Sequence, residues 1–357
     1  KRQDHNPQVA ADIANAVSHR LANLIQDLET PLTEGAQSPV KASVVQQAFA
    51  PLSPTSPRPL LNLALGILLG LAGGVGIALL RESLDITIKS LDDVATLTGA
   101  SPLGVVAFDE TMESNMMSGL SSRSPRSEAF RAIRTNLQYV DVDNPPQVIL
   151  VTSSVQGEGK STTTMNLAVT MAQAGKKVVL VEADLRKPRL ARYLGIEGAV
   201  GLTNVLAGEL RVKNALIPWR RGLFHVLPSG PIPPNPSELL SSDNMEKLLN
   251  ELRKTFDYII VDAAPLLPVT DAVALSTITD GVLLVIRFGR TTKEQVKRTV
   301  ETINLVGAKL LGPVMNFVPS DSSGYGYGYG YGYGYGYGYG EKRTKDGEAE
   351  ATGLDQE

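Results

Sequence analysis

The chain has 357 residues, with 34 Lys and Arg against 37 Asp and Glu and a formal net charge of −3. So balanced a composition excludes the strongly basic surface that binding to a phosphate backbone needs, and no nucleic-acid partner is expected. Cysteine is absent and the only histidines are His5, His19 and His225, which excludes disulfides, thiolate zinc sites and histidine-rich metal centres. Any metal should therefore be oxygen-ligated.

The chain opens on Lys1 rather than methionine, so residues upstream are expected. Val9, Ile13, Val17, Leu21, Leu24 and Leu28 recur every three or four positions, which predicts an amphipathic packing helix over 7–29. Prolines at 31, 39, 51, 54, 57 and 59 break up the next stretch into a linker or short strands. Leu60 to Leu80 is 21 residues without a charge. As a helix it would be about 31 Å long, the thickness of a bilayer's hydrocarbon core, so 60–80 reads as a transmembrane helix. Its internal position and lack of a basic n-region set it apart from a signal peptide. Gly66, Gly70 and Gly74 line one face at the spacing that lets helices approach closely in lipid. Lys41 and Arg58 before the span balance Arg81 and Lys89 after it, so charge does not orient it. Orientation has to come from the chemistry downstream, which is expected to place 1–59 outside the cytoplasm and 81–119 inside it as a connector.

From 120 to 319 apolar runs alternate with helical periodicity. Strands are expected at 148–152, 177–181, 224–227, 258–261, 282–286 and 310–315, with helices at 127–139, 162–174, 243–254, 271–276 and 293–306. Continuous Val/Ile/Leu strands separated by helices imply an α/β domain whose mainly parallel sheet is covered on both faces.

Within VTSSVQGEGKST an apolar strand ends at Thr152 and a helix begins near Ser161, with Gly157, Glu158, Gly159 and Lys160 between. This is a phosphate-binding loop of the P-loop NTPase kind. Its glycines let backbone N–H groups turn toward phosphate, Lys160 neutralises β/γ oxygens, and the Ser161 hydroxyl can ligate Mg²⁺. Gly157, Glu158, Gly159, Lys160, Ser161 and Thr162 are the nucleotide-binding candidates. Two further apolar runs end in acids, VVLVEADLRKP with Glu182 and Asp184 and YIIVDAAP with Asp262. In an open α/β sheet, strand C-termini form the ligand crevice, so these acids should meet the loop there. Lys160, Glu182, Asp184 and Asp262 are the catalytic candidates, and Ser161, Asp184 and Asp262 the metal ligands.

These residues resemble the bacterial tyrosine kinases of the polysaccharide co-polymerase family, the Wzc-like BY-kinases. The resemblance runs through PLSPTSPRP before the membrane helix, GEGKST, DLRKP, LPSGPIPPNPSELL, IIVDAAP and a terminal tyrosine cluster. It implies ATP and Mg²⁺ as cofactors and autophosphorylation of C-terminal tyrosines. It further implies control of capsule or exopolysaccharide polymerisation and export, with residues 1–59 the end of a chain-length determinant region. The partners it implies are the polysaccharide machinery, a tyrosine phosphatase, the plasma membrane with the kinase domain on its cytoplasmic side, and further copies of the chain in a ring. The family's DxDxR motif reads Glu182-Ala183-Asp184-Leu185-Arg186 here, and Gln156 stands where the family usually has proline. Within SEAFRAIRT, Glu128, Arg131 and Arg134 match the family's oligomerisation signature and share one arc of a helix.

Gly324 to Gly340 alternates glycine and tyrosine, placing Tyr325, Tyr327, Tyr329, Tyr331, Tyr333, Tyr335, Tyr337 and Tyr339 in a tail at 320–357. Alternating glycine removes any packed core, so the tail is expected to be disordered and to supply the phosphoacceptors. Two other functions share parts of this pattern. A partitioning or septum-positioning ATPase of the ParA/MinD type would carry a signature lysine where Val155 stands. A catalytically silent chain-length regulator would keep the membrane helix and loop but not the chemistry.

Overall fold

The computed structural model describes residues 6–29, 42–50, 58–108 and 124–319. They divide into two units, Lys1–Asp85 and Ile86–Glu357. The proline-rich stretch at 51–57, the Ser/Met/Gly-rich loop at 109–123 and the Tyr-Gly tail lie outside the described residues.

In the first unit, helix α1 (Pro7–Glu29) spans the periodic stretch. The Asn15 amide clamps the Ala48 backbone: Ala48 N–H donates to Asn15 Oδ1 at 2.7 Å, and Asn15 Nδ2 donates back to Ala48 O at 3.1 Å. Helix α2 (Pro59–Ser83) starts on a proline, whose fixed φ suits a first turn. Its 25 residues make it long and apolar enough to cross a membrane, and none of them is buried. A side chain added at Gly66, Gly70 or Gly74 would meet nothing within 4 Å, so that face is bare.

The second unit contains α3 (Leu91–Thr98), β1 (Gly104–Ala107), α4 (Pro125–Gln138), β2 (Val148–Ser153), α5 (Lys160–Gln173), β3 (Val178–Glu182), α6 (Leu190–Leu194), α7 (Leu202–Leu206) and α8 (Val212–Ala215). It continues with β4 (Ile217–Trp219), β5 (Phe224–Leu227), α9 (Pro236–Leu240), α10 (Asp243–Arg253), β6 (Tyr258–Asp262), α11 (Asp271–Ser276), β7 (Gly281–Arg287), α12 (Lys293–Leu305) and β8 (Leu310–Val318). The strands form one sheet in the order β1-β8-β7-β2-β6-β3-β5-β4. Every pairing is parallel except β4 with β5.

Strand residues alternate between two apolar layers, which is why the strands read as unbroken apolar runs. On β2, Ile149 and Val151 join the layer holding Phe130, Ile133 and Leu137 of α4 and Leu167 and Met171 of α5. Val148 and Leu150 join the opposite layer, with Leu202, Leu240, Leu248 and Leu252. A third cluster packs Ile88 and Val94 onto Leu284, Ile286, Val296 and Met315.

The stretch expected to be a connector therefore belongs partly to the α/β unit. Residues 86–108 supply α3 against α12 and lay β1 along β8 in parallel, with Val105 opposite Met315. Such a strand is held by pairing with residues more than 200 positions later, so no local pattern marked it.

Candidate active site

Strands β2, β6 and β3 lie side by side, and their registers bring three functional segments to one level. Val151 faces Asp262 across β2 and β6, and Glu182 faces Asp262 across β3 and β6. The loop after β2 thus opens beside the acids at the ends of the neighbouring strands, as the ligand crevice of an open α/β sheet requires.

The loop itself needs its glycines. Gly157 and Gly159 hold φ values of 87° and 90°, a region that disfavours side chains. A Cβ on Gly159 would come within 2.1 Å of Asn316 Nδ2 and 3.1 Å of the Phe317 ring. Gly159 caps α5, so the first backbone N–H groups of that helix and its positive dipole end face the loop's concavity.

Lys160, Ser161, Asp184 and Asp262 converge. Lys160 Nζ donates to Asp184 Oδ2 at 2.7 Å and lies 3.5 Å from Asp262 Oδ1. Ser161 Oγ donates to Asp262 Oδ2 at 2.6 Å. Burial works against the Lys160 ammonium, but Asp262 and Asp184 outweigh it and hold its pKa above the ordinary lysine value. Burial raises the Asp262 carboxyl above the usual aspartate range, because Lys160 and Ser161 offset that desolvation only in part. One ammonium against two carboxylates leaves the pocket net negative, which suits a divalent cation.

The donor set also fits Mg²⁺. Ser161 Oγ and the Asp262 carboxylate are hard oxygen ligands side by side, while no group of three or more His, Cys, Asp or Glu among the described residues could hold a metal. Mg²⁺ characteristically takes one or two protein oxygens and completes its shell with phosphate and water.

The remaining candidates divide. Thr162 is half-buried in the first turn of α5. The Glu158 side chain does not face the nucleotide crevice: it is fully buried, accepts the Val155 N–H at 2.9 Å and the Thr291 hydroxyl, and braces the loop from within. Glu182 does not join the cluster either. Its Oε1 accepts Arg189 N–H at 2.5 Å and Leu190 N–H at 2.6 Å, and its Oε2 accepts Ser229 N–H at 3.2 Å. The expectation of a catalytic acid at 182 meets a carboxylate that accepts three backbone N–H groups.

On α4, Arg131 pairs with Glu128 one turn away, and Arg134 Nη1 donates to Thr170 O of α5 at 3.1 Å. All three charges in that signature thus have contacts within the chain. The Glu128 side chain is 65% exposed and remains the most available of them.

Several supporting residues lay outside the sequence reading. Asn316, fully buried, donates to Glu158 O at 3.0 Å. Arg287 donates to Gly157 O at 3.0 Å and stacks 4.2 Å from the Phe317 ring centre. Arg186, read in the sequence only as the end of the DxDxR motif, forks onto buried Asp271, with Nε to Oδ2 at 2.7 Å and Nη2 to Oδ1 at 3.0 Å. A polar residue interrupting or ending an apolar run, as Asn316 and Arg287 do, was the available signal.

A family model described as an AAA domain matches residues 147–314. The chain is 44% identical over 205 residues to tyrosine-protein kinase YwqD of Bacillus subtilis, covering 57% of this chain and 86% of that protein. It is 30% identical over 308 residues to the succinoglycan biosynthesis transport protein ExoP of Rhizobium meliloti, covering 77% of this chain and 39% of that one. The kinase domain of Escherichia coli tyrosine kinase ETK superposes with a TM-score of 0.61 at 27% identity, over 71% of this chain and all of that domain.

Proposed function

The chain belongs to the bacterial tyrosine-protein kinase family, and we propose that it transfers the γ-phosphoryl group of ATP to the tyrosines of its own 320–357 tail. The observation that carries this is the convergence of Lys160, Ser161, Asp184 and Asp262 on a glycine-shaped loop.

The backbone N–H groups of 157–162 bind the phosphate oxygens, and Lys160 moves its charge from the acids onto them. Ser161 and Asp262 would hold Mg²⁺, which when bound would neutralise the charge of the phosphates. Asp184, the acid nearest the ammonium, accepts the proton of the attacking tyrosine hydroxyl. The tyrosine oxygen forms the new bond to phosphorus, and the bond to the ADP oxygen breaks as the charge builds against Lys160.

Similarity to ExoP, a biosynthesis transport protein, supports a role in exopolysaccharide biosynthesis and export. Helix α2 supports anchorage in a membrane, with the second unit on the ATP-containing side. The exposed Glu128 on α4 supports assembly of several copies, which would present one tail to a neighbour's site at high effective concentration. A tyrosine phosphatase would reverse the modification.

The full chain incubated with Mg-ATP and probed for phosphotyrosine tests the reading. Label should appear on the tail and vanish in Lys160→Met with melting preserved. Undiminished label in that variant would remove the loop from the chemistry.

A further inference from the structure

The segment from Glu182 to Leu190 is a closed loop tied by its own first residue. Glu182 is fully buried, and three of the roughly four lone-pair sites of its carboxylate are taken by Arg189, Leu190 and Ser229 N–H groups. Inside that loop Asp184 Oδ1 accepts Lys187 N–H at 3.1 Å, and Lys187 Nζ reaches Gln156 Oε1 of the phosphate loop at 3.2 Å. Arg186 leaves the same loop to grip Asp271. One buried carboxylate thus fixes both ends of the strip that presents Asp184 and Lys187 to the phosphate loop, and joins it to the turn at Ser229.

The geometry points to Glu182 as a positioning residue for Asp184 and Lys187 rather than a proton acceptor or metal ligand. The inference rests on the kinase reading for its activity readout but not for its folding readout.

Length and charge separate the two roles. An aspartate is one carbon–carbon bond shorter, about 1.5 Å, and could not reach N–H groups already at hydrogen-bonding distance from glutamate. A glutamine keeps the length, and its single carbonyl oxygen can accept the Arg189 and Leu190 N–H groups as Oε1 now does, while its NH2 turns donor to donor against Ser229 N–H, a loss confined to that turn. A proton acceptor or metal ligand has the opposite preference, because aspartate keeps the carboxylate while an amide cannot take a proton at neutral pH.

The full chain in detergent, with Glu182→Gln, Glu182→Asp and Lys160→Met as control, decides it by thermal melting and by kcat and KM for Mg-ATP in tail phosphorylation. Positioning predicts that Glu182→Gln keeps kcat within about threefold, whereas Glu182→Asp melts lower and loses about tenfold or more in kcat, as its buried N–H groups lose their acceptor and Asp184 is displaced. If Glu182→Asp fails to fold, Glu182→Gln alone carries the test. Glu182→Asp at wild-type activity, or Glu182→Gln inactive with wild-type melting, overturns the assignment. Wild-type protein without phosphotyrosine, or label persisting in Lys160→Met, sinks the kinase reading instead, and the melting order of the two Glu182 variants still reads the brace.

Discussion

Gly159→Ala tests how the phosphate loop is shaped, because two separate costs can be assigned to it. The first is backbone strain: at φ 90° a Cβ costs about 1–2 kcal/mol. The second is displacement of Asn316, whose Nδ2 would lie 2.1 Å from the new methyl. Asn316 must then leave Glu158 O in a fully buried site, which costs about 1–3 kcal/mol. Together these give about 2–5 kcal/mol, or roughly 2–4 °C of melting temperature per kcal/mol for a domain of this size. Asn316→Ala by itself loses that hydrogen bond and the one its Oδ1 accepts from Phe317 N–H at 3.0 Å. In the double variant the clash is gone and the bond to Glu158 O is lost only once, so the total should fall short of the sum of the two single losses by about 1–3 kcal/mol. Thermal melting and Mg-ATP affinity of the four proteins measure it. Additive losses would refute the argument, since they would mean that the methyl and the asparagine never compete for the same space.

Arg287→Ala should weaken Mg-ATP binding several-fold while leaving the fold intact, because it removes the support of Gly157 O and the stack on Phe317; calorimetric titration with nucleotide checks this. Asp271 gives a pH test. Burial raises its carboxyl, but the hydrogen bonds and charge of Arg186 and the Ser237 hydroxyl outweigh it and hold the pKa below the ordinary value of 3.8. A depressed acid stabilises the fold above its unfolded-state pKa and loses that contribution as pH falls through the folded value. The melting gap between wild type and Asp271→Asn should therefore be full at pH 7, begin to close below about pH 4 and disappear in stronger acid.

The parts of the fold that lay open in the sequence are those with residues buried on both sides. β5 and α11 fall where expected at 224–227 and 271–276, and the other long strands within one to three residues at either end. β4 escaped because it is three residues long with Pro218 at its centre, a pattern that reads as a break and is tolerated only at a sheet edge. At the site, side chains that act on other side chains were legible: Lys160, Ser161, Asp184 and Asp262 all carry their chemistry in their type and spacing. Glu158 and Glu182 did not behave as their neighbours suggested, because backbone N–H groups claim both. A backbone donor has no signature in the sequence, and Ser229 lies 47 residues from the acid it binds.

The same logic fixes where the catalytic unit begins. Ile86 O accepts Lys293 N–H at 3.0 Å, and Ile88 exchanges bonds with Thr291 O and Gly289 N–H, both at 2.8 Å. Thr291, held from that side, accepts Arg287 N–H at 3.0 Å and gives its hydroxyl to Glu158, which in turn holds the Val155 N–H. Ile88, only a few positions past the end of α2, is thus two hydrogen bonds from the phosphate loop. A unit starting at 120, as the periodicity alone implies, would lose Ile88 and Val94, both fully buried, and would strip β1 from β8. That would open a sheet edge directly beside Asn316 and uncover the apolar face of Leu284 and Ile286. The shape of the nucleotide loop is therefore a property of the chain from Ile86 onward, and the segment that follows α2 is part of the machinery it precedes.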